Sequence, residues 1–332
     1  MTIRTAVSDR FELITVPRSR GVPSFADDVA RGLRADPKEL SSKYFYDDVG
    51  SALFDAITRL PEYYLTAAEA QILADWGWQI VRLLDAPVDF LELGSGSAVK
   101  TRLLIGEALR VQTQLCYSPI DISTEALRQS SLALVEAYPG LHVRAYAGDY
   151  FDVLESHPVR HERKTLAMLM GSNIGNYQPD AARELLRLLG AALRPGDGLL
   201  LGVDLKKDRA ILELAYDDPA GVTAAFDRNV LTRINRELNA DFDVRNFKHI
   251  ARYDQARGSV DSFLEARDGA IVTIRSLNLR IRLHAGERIH TESSYKFTDG
   301  EVVELAAAGG FAPAAAWRDR AKRFAVHLLV RE

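Results

Sequence analysis

Residues 91–101 read LELGSGSAVKT, an apolar strand that ends in a glycine turn and leads directly into a helix. Glycine at such a turn removes the side chains that would keep a ligand away from the backbone at the strand ends. The stretch therefore predicts a nucleotide-like ligand bound to an α/β fold. A purely structural turn stays open as the alternative, because every doubly wound sheet needs strand-to-helix turns.

Helical and strand patterns alternate from about residue 66 to residue 205. Thr66 and Glu69 have the spacing of a capping box, which predicts the start of the first helix. The carboxyl ends of the predicted strands are Leu93, Asp121, Ala147, Gly171 and Leu205. We expect an α/β fold with a doubly wound, mostly parallel sheet, which binds its ligands at these strand ends.

The alternation stops after residue 205, and the next helix begins only near residue 300. A connection that long is expected to fold as a unit of its own. We expect residues 66–206 and 296–332 to form one domain. The first 65 residues lie outside the alternation and are rich in aromatic residues, so we expect them to pack with residues 207–295 as an α+β substrate domain.

The bulk properties exclude several classes of function. The net charge of -4 and the absence of a basic run give no reason to expect a nucleic-acid or membrane partner. A single cysteine, Cys116, fits a reducing compartment, so we expect a cytoplasmic protein, with a monomer as the default. His157 and His161 are four residues apart, but Pro158 breaks the helix that would align them, and we expect no metal site.

Val99 occupies the third glycine position of the dinucleotide fingerprint, which argues against a dinucleotide and so against an NAD-dependent dehydrogenase. Asp121 and Asp149 follow the next two strands, where carboxylates can receive ribose hydroxyls and an adenine amine. Each could instead cap a helix, but together with the glycine turn they favour adenosine. For Lys100, at a helix start, the sequence alone favours a solvated surface lysine.

Two further candidates lie later in the chain. Asn176 follows the fourth strand and can donate and accept hydrogen bonds, which suits an amino-acid backbone, although a helix cap is equally compatible. Glu292 and Ser294 project from one face of an extended strand, about 7 Å apart along the chain. They could bind the two nitrogens of an imidazole, but spacing alone favours a polar, solvent-facing edge.

Taken together, the sequence closely resembles the bacterial histidine Nα-methyltransferases of ergothioneine biosynthesis, a family of histidine-specific methyltransferases that use S-adenosylmethionine. The likeness covers residues 43–297. The matching blocks are 45–47 (FYD), 58–64 (TRLPEYY), 91–96 (LELGSG) with 100–102 (KTR), 171–172 (GS) with 174–176 (IGN), 215–218 (AYDD), and 291–292 (TE) with Ser294 and 296–297 (KF).

The resemblance implies a class I, Rossmann-like methyltransferase fold with S-adenosylmethionine as cofactor and L-histidine as small-molecule substrate. The residues it implies for the methyl donor are Gly94, Lys100, Asp121, Asp149 and Tyr150. Those it implies for histidine are Tyr63, Asn176, Tyr216, Glu292 and Ser294. It places Asn176 and Tyr216 at the carboxylate end of the substrate, and Glu292 with Ser294 at the imidazole.

Three positions depart from the family pattern. Ser262 stands where the family is expected to have a methionine against the imidazole, and Ser293 and Tyr295 are also atypical. These departures leave the reaction class intact but put the preferred side chain in question. A methyltransferase for another aromatic amino acid and a non-catalytic amino-acid-binding relative therefore stay open.

The expected reaction is attack of the unprotonated α-amine on the sulfonium methyl, three times in succession, to give the trimethylated betaine hercynine. Positioning and desolvation are the expected contributions of the protein. The sequence offers no strong base, so the hydroxyl of Tyr46 or Tyr63, or a water, is expected to relay the proton.

Overall fold

The computed structural model describes residues 2–17, 23–85, 87–156 and 162–332. The strands of these residues are β1 (Ile3–Ser8), β2 (Phe11–Thr15), β3 (Lys38–Glu39), β4 (Val88–Leu93), β5 (Leu115–Asp121), β6 (Leu141–Ala147), β7 (Lys164–Leu169), β8 (Gly198–Asp204), β9 (Phe247–Asp254), β10 (Ser259–Ala266), β11 (Ala270–Ile274), β12 (Leu279–Leu283), β13 (Arg288–Tyr295), β14 (Phe311–Arg318) and β15 (Phe324–Arg331). The α-helices are α1 (Phe25–Arg34), α2 (Asp48–Ile57), α3 (Tyr64–Arg82), α4 (Thr101–Val111), α5 (Thr124–Ala137), α6 (Tyr150–Ser156), α7 (Pro179–Ala192), α8 (Arg209–Tyr216), α9 (Val222–Leu238) and α10 (Asp299–Ala307).

The described residues divide into two compact units. The first contains those of 1–20, 65–205 and 297–332, and its sheet has the strand order β1-β2-β6-β5-β4-β7-β8-β15-β14. The strands from β2 to β8 in this order run parallel, whereas β1, β15 and β14 are added antiparallel. The order reverses at β4, which is the position where open α/β sheets bind their ligands. The predicted α/β fold with a doubly wound parallel sheet is confirmed.

Apolar sequence explains why the centre of this sheet forms. All six residues of β4 and all seven of β8 are buried, as expected for parallel strands that are covered on both faces. The helix α7 contributes Leu185, Leu186 and Leu189 to the core on one face of the sheet. Packing on the sheet therefore fixes the turns at the carboxyl ends of the strands.

The second unit contains the described residues of 21–64 and 206–296. Its main sheet has the order β3-β13-β10-β9, and β11 and β12 form a separate hairpin. The strand β12 alternates along its length, with Leu279, Ile281 and Leu283 buried while Arg280 and Arg282 are exposed. The helices α1, α2 and α9 contribute to one apolar core with β9 to β13.

The structure corrects three expectations. Residues 3–15 do not pack with the insertion: β2 pairs in parallel with β6, and Phe11 and Ile14 are each only 1% exposed in the first unit. The predicted capping box at Thr66 and Glu69 is also wrong, because α3 already begins at Tyr64 and Glu69 is fully buried. Residues 65, 206 and 296 each fall on the other side of the predicted boundary.

Candidate active site

The glycine turn after β4 is tight on one side and open on the other. Gly94 has a φ of +77°, and its N–H donates to the Ile120 carbonyl at 2.8 Å. A Cβ on Gly94 would collide with the Tyr150 hydroxyl and the Asn173 amide. At Gly96, whose φ is +48°, a Cβ would meet no atom within 4 Å. The turn thus offers bare backbone with open space above it, which fits a nucleotide-like group.

Asp121 and Asp149 both accept hydrogen bonds from backbone N–H groups. The Asp121 carboxylate accepts from Gly96 and from Ser123, each at 2.9 Å. Burial raises the pKa of Asp121 from its usual value, although these backbone hydrogen bonds oppose the rise. Asp149 accepts from Phe151 N–H at 2.9 Å at the start of α6. Each carboxylate therefore stabilises its own turn, as in the helix-cap interpretation, and Asp121 also links two adjacent strand ends.

Lys100 is held at the strand ends by a buried carboxylate. Its ammonium group forms an ion pair with Glu69, and the Lys100 side chain is only 22% exposed. Both carboxylate oxygens of Glu69 also accept from the Gly171 N–H at 2.9 Å. The interpretation of Lys100 as a solvated surface lysine is therefore wrong, because Glu69 holds it beside the turn that follows β7.

Glu92 forms a buried network with the start of α4 that the sequence analysis missed. The Thr101 hydroxyl donates to the Glu92 carboxylate at 2.7 Å, and the Tyr117 hydroxyl donates to it as well. Burial raises the pKa of Glu92 to about 7 despite these two donors. The only local signal was an acidic residue within an apolar strand, which marks a side chain that needs buried partners.

Asn176 lies in the first unit, at the end of a 3₁₀ turn over Asn173–Asn176. The turn is fixed by Ser172, which has a φ of +59° and accepts from the Asp204 N–H at 3.0 Å. Asn176 itself is exposed. Its side chain therefore remains accessible at the carboxyl end of β7, at the same edge of the sheet as the glycine turn.

Three buried polar groups of the second unit are hydrogen-bonded to one another. The Tyr216 hydroxyl lies 2.9 Å from the Ser294 hydroxyl, although 78 residues separate them in the chain. The Lys296 ammonium donates to Tyr216 at 2.8 Å and to Ser294 at 2.9 Å. The structure thus brings Tyr216 and Ser294 together as the resemblance implies, and it adds a lysine that the sequence analysis did not assign to the site.

Glu292 precedes this set on β13, directly after an irregularity in the sheet. Ser262 pairs with Glu292 and Phe263 pairs with His290, so Thr291 is the extra residue of a β-bulge. Bulges redirect neighbouring side chains and are common beside active sites. Ser262, the residue that departs from the family pattern, therefore lies directly opposite Glu292 on β10.

Glu292 lies among other charged groups in a desolvated environment. Burial raises its pKa to about 7, and the negative charge of Asp227 contributes to the rise, whereas Lys296 and His249 oppose it. His249 lies 2.6 Å from Asp227 through Nδ1 and 2.8 Å from the Tyr216 carbonyl oxygen through Nε2. Burial is the largest single effect and lowers the pKa of His249, but the hydrogen bond and charge of Asp227, the Tyr216 carbonyl and the charge of Asp217 together make the net direction upward.

The two candidate proton-relay tyrosines belong to an aromatic cluster of the second unit. Tyr46 packs edge-on against Phe54 at 5.5 Å and against Phe226 at 5.4 Å between ring centroids. Tyr63 packs against Phe54 at 6.2 Å and against Tyr216 at 6.0 Å. The cluster therefore connects Tyr46 and Tyr63 to Tyr216, and aromatic residues of 21–64 do pack with the insertion.

The predicted residues thus fall into two groups. Those implied for the methyl donor lie in the first unit together with Asn176. Tyr46, Tyr63, Tyr216, Glu292 and Ser294 lie in the second unit. Sequence reasoning missed Glu69 and the Asp227–His249 pair, because their partners lie far away in the chain. It also missed Lys296, which bonds to the distant Tyr216 as well as to its near neighbour Ser294.

Neither a metal-ligand cluster nor a helix suited to crossing a membrane occurs among the described residues. No cluster of three or more histidine, cysteine, aspartate or glutamate side chains suited to a metal occurs among them. His157 and His161, considered above as metal ligands, lie outside the described residues. Within the described part of the chain, no helix combines the length and the apolar character needed to cross a membrane.

Comparison with known proteins identifies the family. Residues 25–331 match the family of histidine-specific, SAM-dependent methyltransferases. The histidine N-alpha-methyltransferase of Mycolicibacterium smegmatis is 43% identical over 304 residues, which are 92% of this chain and 94% of that protein. The protein of the same name from Mycobacterium tuberculosis is 43% identical over 91% of this chain and 93% of its own length. The chain therefore belongs to the histidine-specific, S-adenosylmethionine-dependent methyltransferases.

Proposed function

We propose that this enzyme transfers methyl groups from S-adenosylmethionine to the α-amine of L-histidine, three times in succession, and forms hercynine for ergothioneine biosynthesis. One observation carries the choice of substrate: on β13 a carboxylate, Glu292, stands two residues from the hydroxyl of Ser294. A neutral imidazole has one N–H, which needs an acceptor such as a carboxylate, and one unprotonated nitrogen, which needs a donor such as a hydroxyl. Membership of the histidine-specific family supports the same choice.

The first unit supplies the residues that we assign to the methyl donor. The bare turn at Gly94 gives room for the nucleoside, and the carboxylates of Asp121 and Asp149 suit ribose hydroxyls and the adenine amine. Lys100, held by Glu69, offers a cation for the donor's carboxylate. We assign Tyr150 to the same site because its hydroxyl lies against Gly94. When bound, S-adenosylmethionine supplies a methyl group that its sulfonium sulfur activates.

The residues that we assign to histidine hold it at both ends. The Glu292 carboxylate accepts from the imidazole N–H, and the Ser294 hydroxyl donates to the other ring nitrogen. Asn176 and Tyr216 bind the carboxylate end, and Tyr63 lies against Tyr216 at 6.0 Å between ring centroids. Binding at both ends fixes the amine between them, and such positioning accounts for much of the acceleration of a bimolecular transfer.

The amine must lose a proton before each transfer. The hydroxyl of Tyr46 or Tyr63, or a water, relays this proton to solvent in our proposal, since no stronger base is assigned to the site. The aromatic cluster around these tyrosines suits the growing positive charge, because cation–π attraction contributes about 0.5–2 kcal/mol. The second unit thus combines a polar end for the imidazole with an aromatic region for the ammonium.

The direct test is mass spectrometry of the purified enzyme with S-adenosylmethionine and a panel of amino acids. We expect mono-, di- and trimethylated histidine in sequence, and much less product from tyrosine, phenylalanine and tryptophan. Preferred methylation of another aromatic amino acid would overturn the substrate. Histidine binding without consumption of S-adenosylmethionine would instead indicate a non-catalytic relative.

A cytoplasmic location and a monomeric state are also proposals. The single cysteine supports the first, and cell fractionation tests it. Size-exclusion chromatography with light scattering tests the second.

The cofactor assignment has its own test: S-adenosylhomocysteine should raise the melting temperature of the enzyme and NAD should not.

A further inference from the structure

His249 connects three elements of the second unit from a buried position. Its side chain is only 1% exposed and belongs to β9. Nδ1 lies 2.6 Å from the Asp227 carboxylate on α9, and Nε2 lies 2.8 Å from the carbonyl oxygen of Tyr216, the last residue of α8. No step of the proposed reaction uses this imidazole. Its two contacts therefore call for an explanation other than proton transfer to or from the substrate.

The direction of the bond to Tyr216 follows from the atoms that make it. A backbone carbonyl oxygen only accepts, so Nε2 of His249 carries a hydrogen and donates it to Tyr216. The bond between Nδ1 and the Asp227 carboxylate is charge-assisted and short, and it holds the ring in this orientation. His249 thus presents a fixed N–H to the backbone of α8.

The carbonyl that receives this N–H lies at a helix end. The last four carbonyl groups of an α-helix have no N–H partner within the helix. The backbone leaves the helical conformation immediately after Tyr216, because Asp217 has a φ of -144° and a ψ of 67°. A positively charged donor at this end satisfies a terminal carbonyl and complements the helix dipole. His249 therefore stabilises the place at which α8 ends.

Tyr216 provides both the carbonyl that His249 binds and a side chain of the proposed histidine site. Its hydroxyl lies 2.9 Å from the Ser294 hydroxyl and accepts from the Lys296 ammonium at 2.8 Å. The hydroxyl stands at the far end of the side chain, so a shift or rotation of the Tyr216 backbone displaces it. Displacements of about 1 Å are enough to impair a binding or catalytic group severely.

We propose that His249 is a positioning residue for histidine binding, which fixes the end of α8 through the Tyr216 carbonyl and so holds the Tyr216 side chain in the site. Asp227 orients the ring of His249 for this contact. The inference rests on the proposed function, because that proposal assigns Tyr216 to the carboxylate end of histidine. Buried hydrogen bonds behind a contact residue are a general means of holding it in place.

The competing explanation is that His249 only balances the negative charge of Asp227. Two amide variants separate the explanations. The amide nitrogen of asparagine is as many bonds from Cβ as Nδ1 is, and that of glutamine is as many as Nε2 is. His249→Asn therefore keeps a donor for Asp227 and loses the donor for the Tyr216 carbonyl, whereas His249→Gln does the reverse. Both variants remove the same positive charge, so any effect of charge is common to the two.

The experiment measures kcat and KM for histidine in each variant, with the melting temperature and binding of S-adenosylhomocysteine as checks of folding. We expect His249→Asn to raise KM at least about tenfold with a smaller change in kcat, as for loss of ground-state binding. His249→Gln should restore KM to within about threefold of the unaltered enzyme. His284→Asn makes the same replacement at an exposed histidine and is the matched control.

A double-mutant cycle tests whether the effect passes through Tyr216. Residues that act on one contact have non-additive effects. In a Tyr216→Phe background, which lacks the hydroxyl, His249→Asn should change KM less than about threefold. Should His249→Asn fail to fold, His249→Ser replaces it in both comparisons, because its short side chain also lacks a donor at the Nε2 position and leaves room for water beside Asp227.

The results separate the possible failures. If the unaltered enzyme and His284→Asn do not methylate histidine, the proposed function itself fails. If both are active and the asparagine and glutamine variants of His249 have the same KM, the positioning role is wrong. An effect of His249→Asn that persists in full in the Tyr216→Phe background would show that it does not act through Tyr216, and would also overturn the inference.

Discussion

Glu292 shows how one side chain depends on charges supplied by distant parts of the chain. The charged groups that act on Glu292 are Asp227 on α9, His249 on β9 and Lys296 after β13. His249 has a hydrogen-bond acceptor at each ring nitrogen, a carboxylate and a carbonyl, so it is held as an imidazolium. Two carboxylates and two cations therefore share one poorly solvated region. Neither Asp227 nor His249 could be assigned to Glu292 from its sequence spacing.

Glu292→Gln should make stability less dependent on pH. The Glu292 pKa is about 7 in the folded protein and 4.5 as the reference value. The folded state therefore binds the Glu292 proton more tightly than the unfolded state does. The stabilisation of the folded state by this proton is fully present below pH 4.5 and is lost as the pH rises through 7. The neutral variant should therefore gain stability relative to the unaltered enzyme between pH 5 and pH 8, on the order of 1–3 kcal/mol.

Urea unfolding at the two pH values measures this difference. Glu304→Gln removes an exposed carboxylate of α10 and should show no such trend. A stability difference for Glu292→Gln that is equal at pH 5 and pH 8 would contradict the prediction. The same variant should also weaken histidine binding, because an amide cannot replace the carboxylate as a charged acceptor.

At the scale of elements, the strand-to-helix turn after β4 was predictable because its signals are local. The end of the apolar strand, the glycines and the first residue of the following helix all lie within residues 91–101, and the structure forms each element. The start of α3 was predicted wrongly for the opposite reason. Thr66 and Glu69 satisfy a local capping pattern, but Glu69 bonds instead to Lys100 and to Gly171, which is 102 residues away.

Gly94→Ala should remove donor binding. A methyl group there meets the Tyr150 hydroxyl and the Asn173 amide, and the left-handed backbone adds strain of about 1–2 kcal/mol. The affinity for S-adenosylhomocysteine should fall at least about tenfold, measured by calorimetry. Gly286→Ala is the matched control, because Gly286 also has a positive φ of +78° but no atom lies within 4 Å of its Cβ position. Equal affinities of the two variants would contradict this explanation.

At the scale of the whole molecule, the chain divides into two units, each built from segments that are not continuous in sequence. The alternation of helices and strands predicted the parallel part of the first unit. It did not predict that the β1–β2 hairpin joins this sheet, because residues 3–15 are separated from their partner strand β6 by more than a hundred residues. The long insertion was predicted to fold as a unit, since so long a connection needs a core of its own, and residues 206–296 lie in the second unit together with described residues of 21–64.

Phe11→Ala should destabilise the first unit. The side chain is only 1% exposed, and truncation of a buried phenylalanine costs about 3–5 kcal/mol. We expect a lower melting temperature in calorimetry, with partial recovery on adding S-adenosylhomocysteine, which stabilises the folded state by binding. Ile3→Ala, on the same hairpin but 61% exposed, should change stability little. Similar melting temperatures for the two variants would show that β2 is not part of this core.

The sequence by itself determined the α/β class, the glycine turn and the carboxylates at the strand ends. These features follow from local periodicity and from the backbone needs of neighbouring residues. The tertiary structure alone decided that Lys100 pairs with Glu69, that Lys296 bonds to Tyr216 and Ser294, and that His249 pairs with Asp227. Except for Lys296 and Ser294, which are two residues apart, these pairs join residues that are distant in the chain, and only the packing of strands and helices fixes their separation. The turn beside the proposed donor site was therefore predictable, whereas the polar set beside the proposed histidine site depended on the fold.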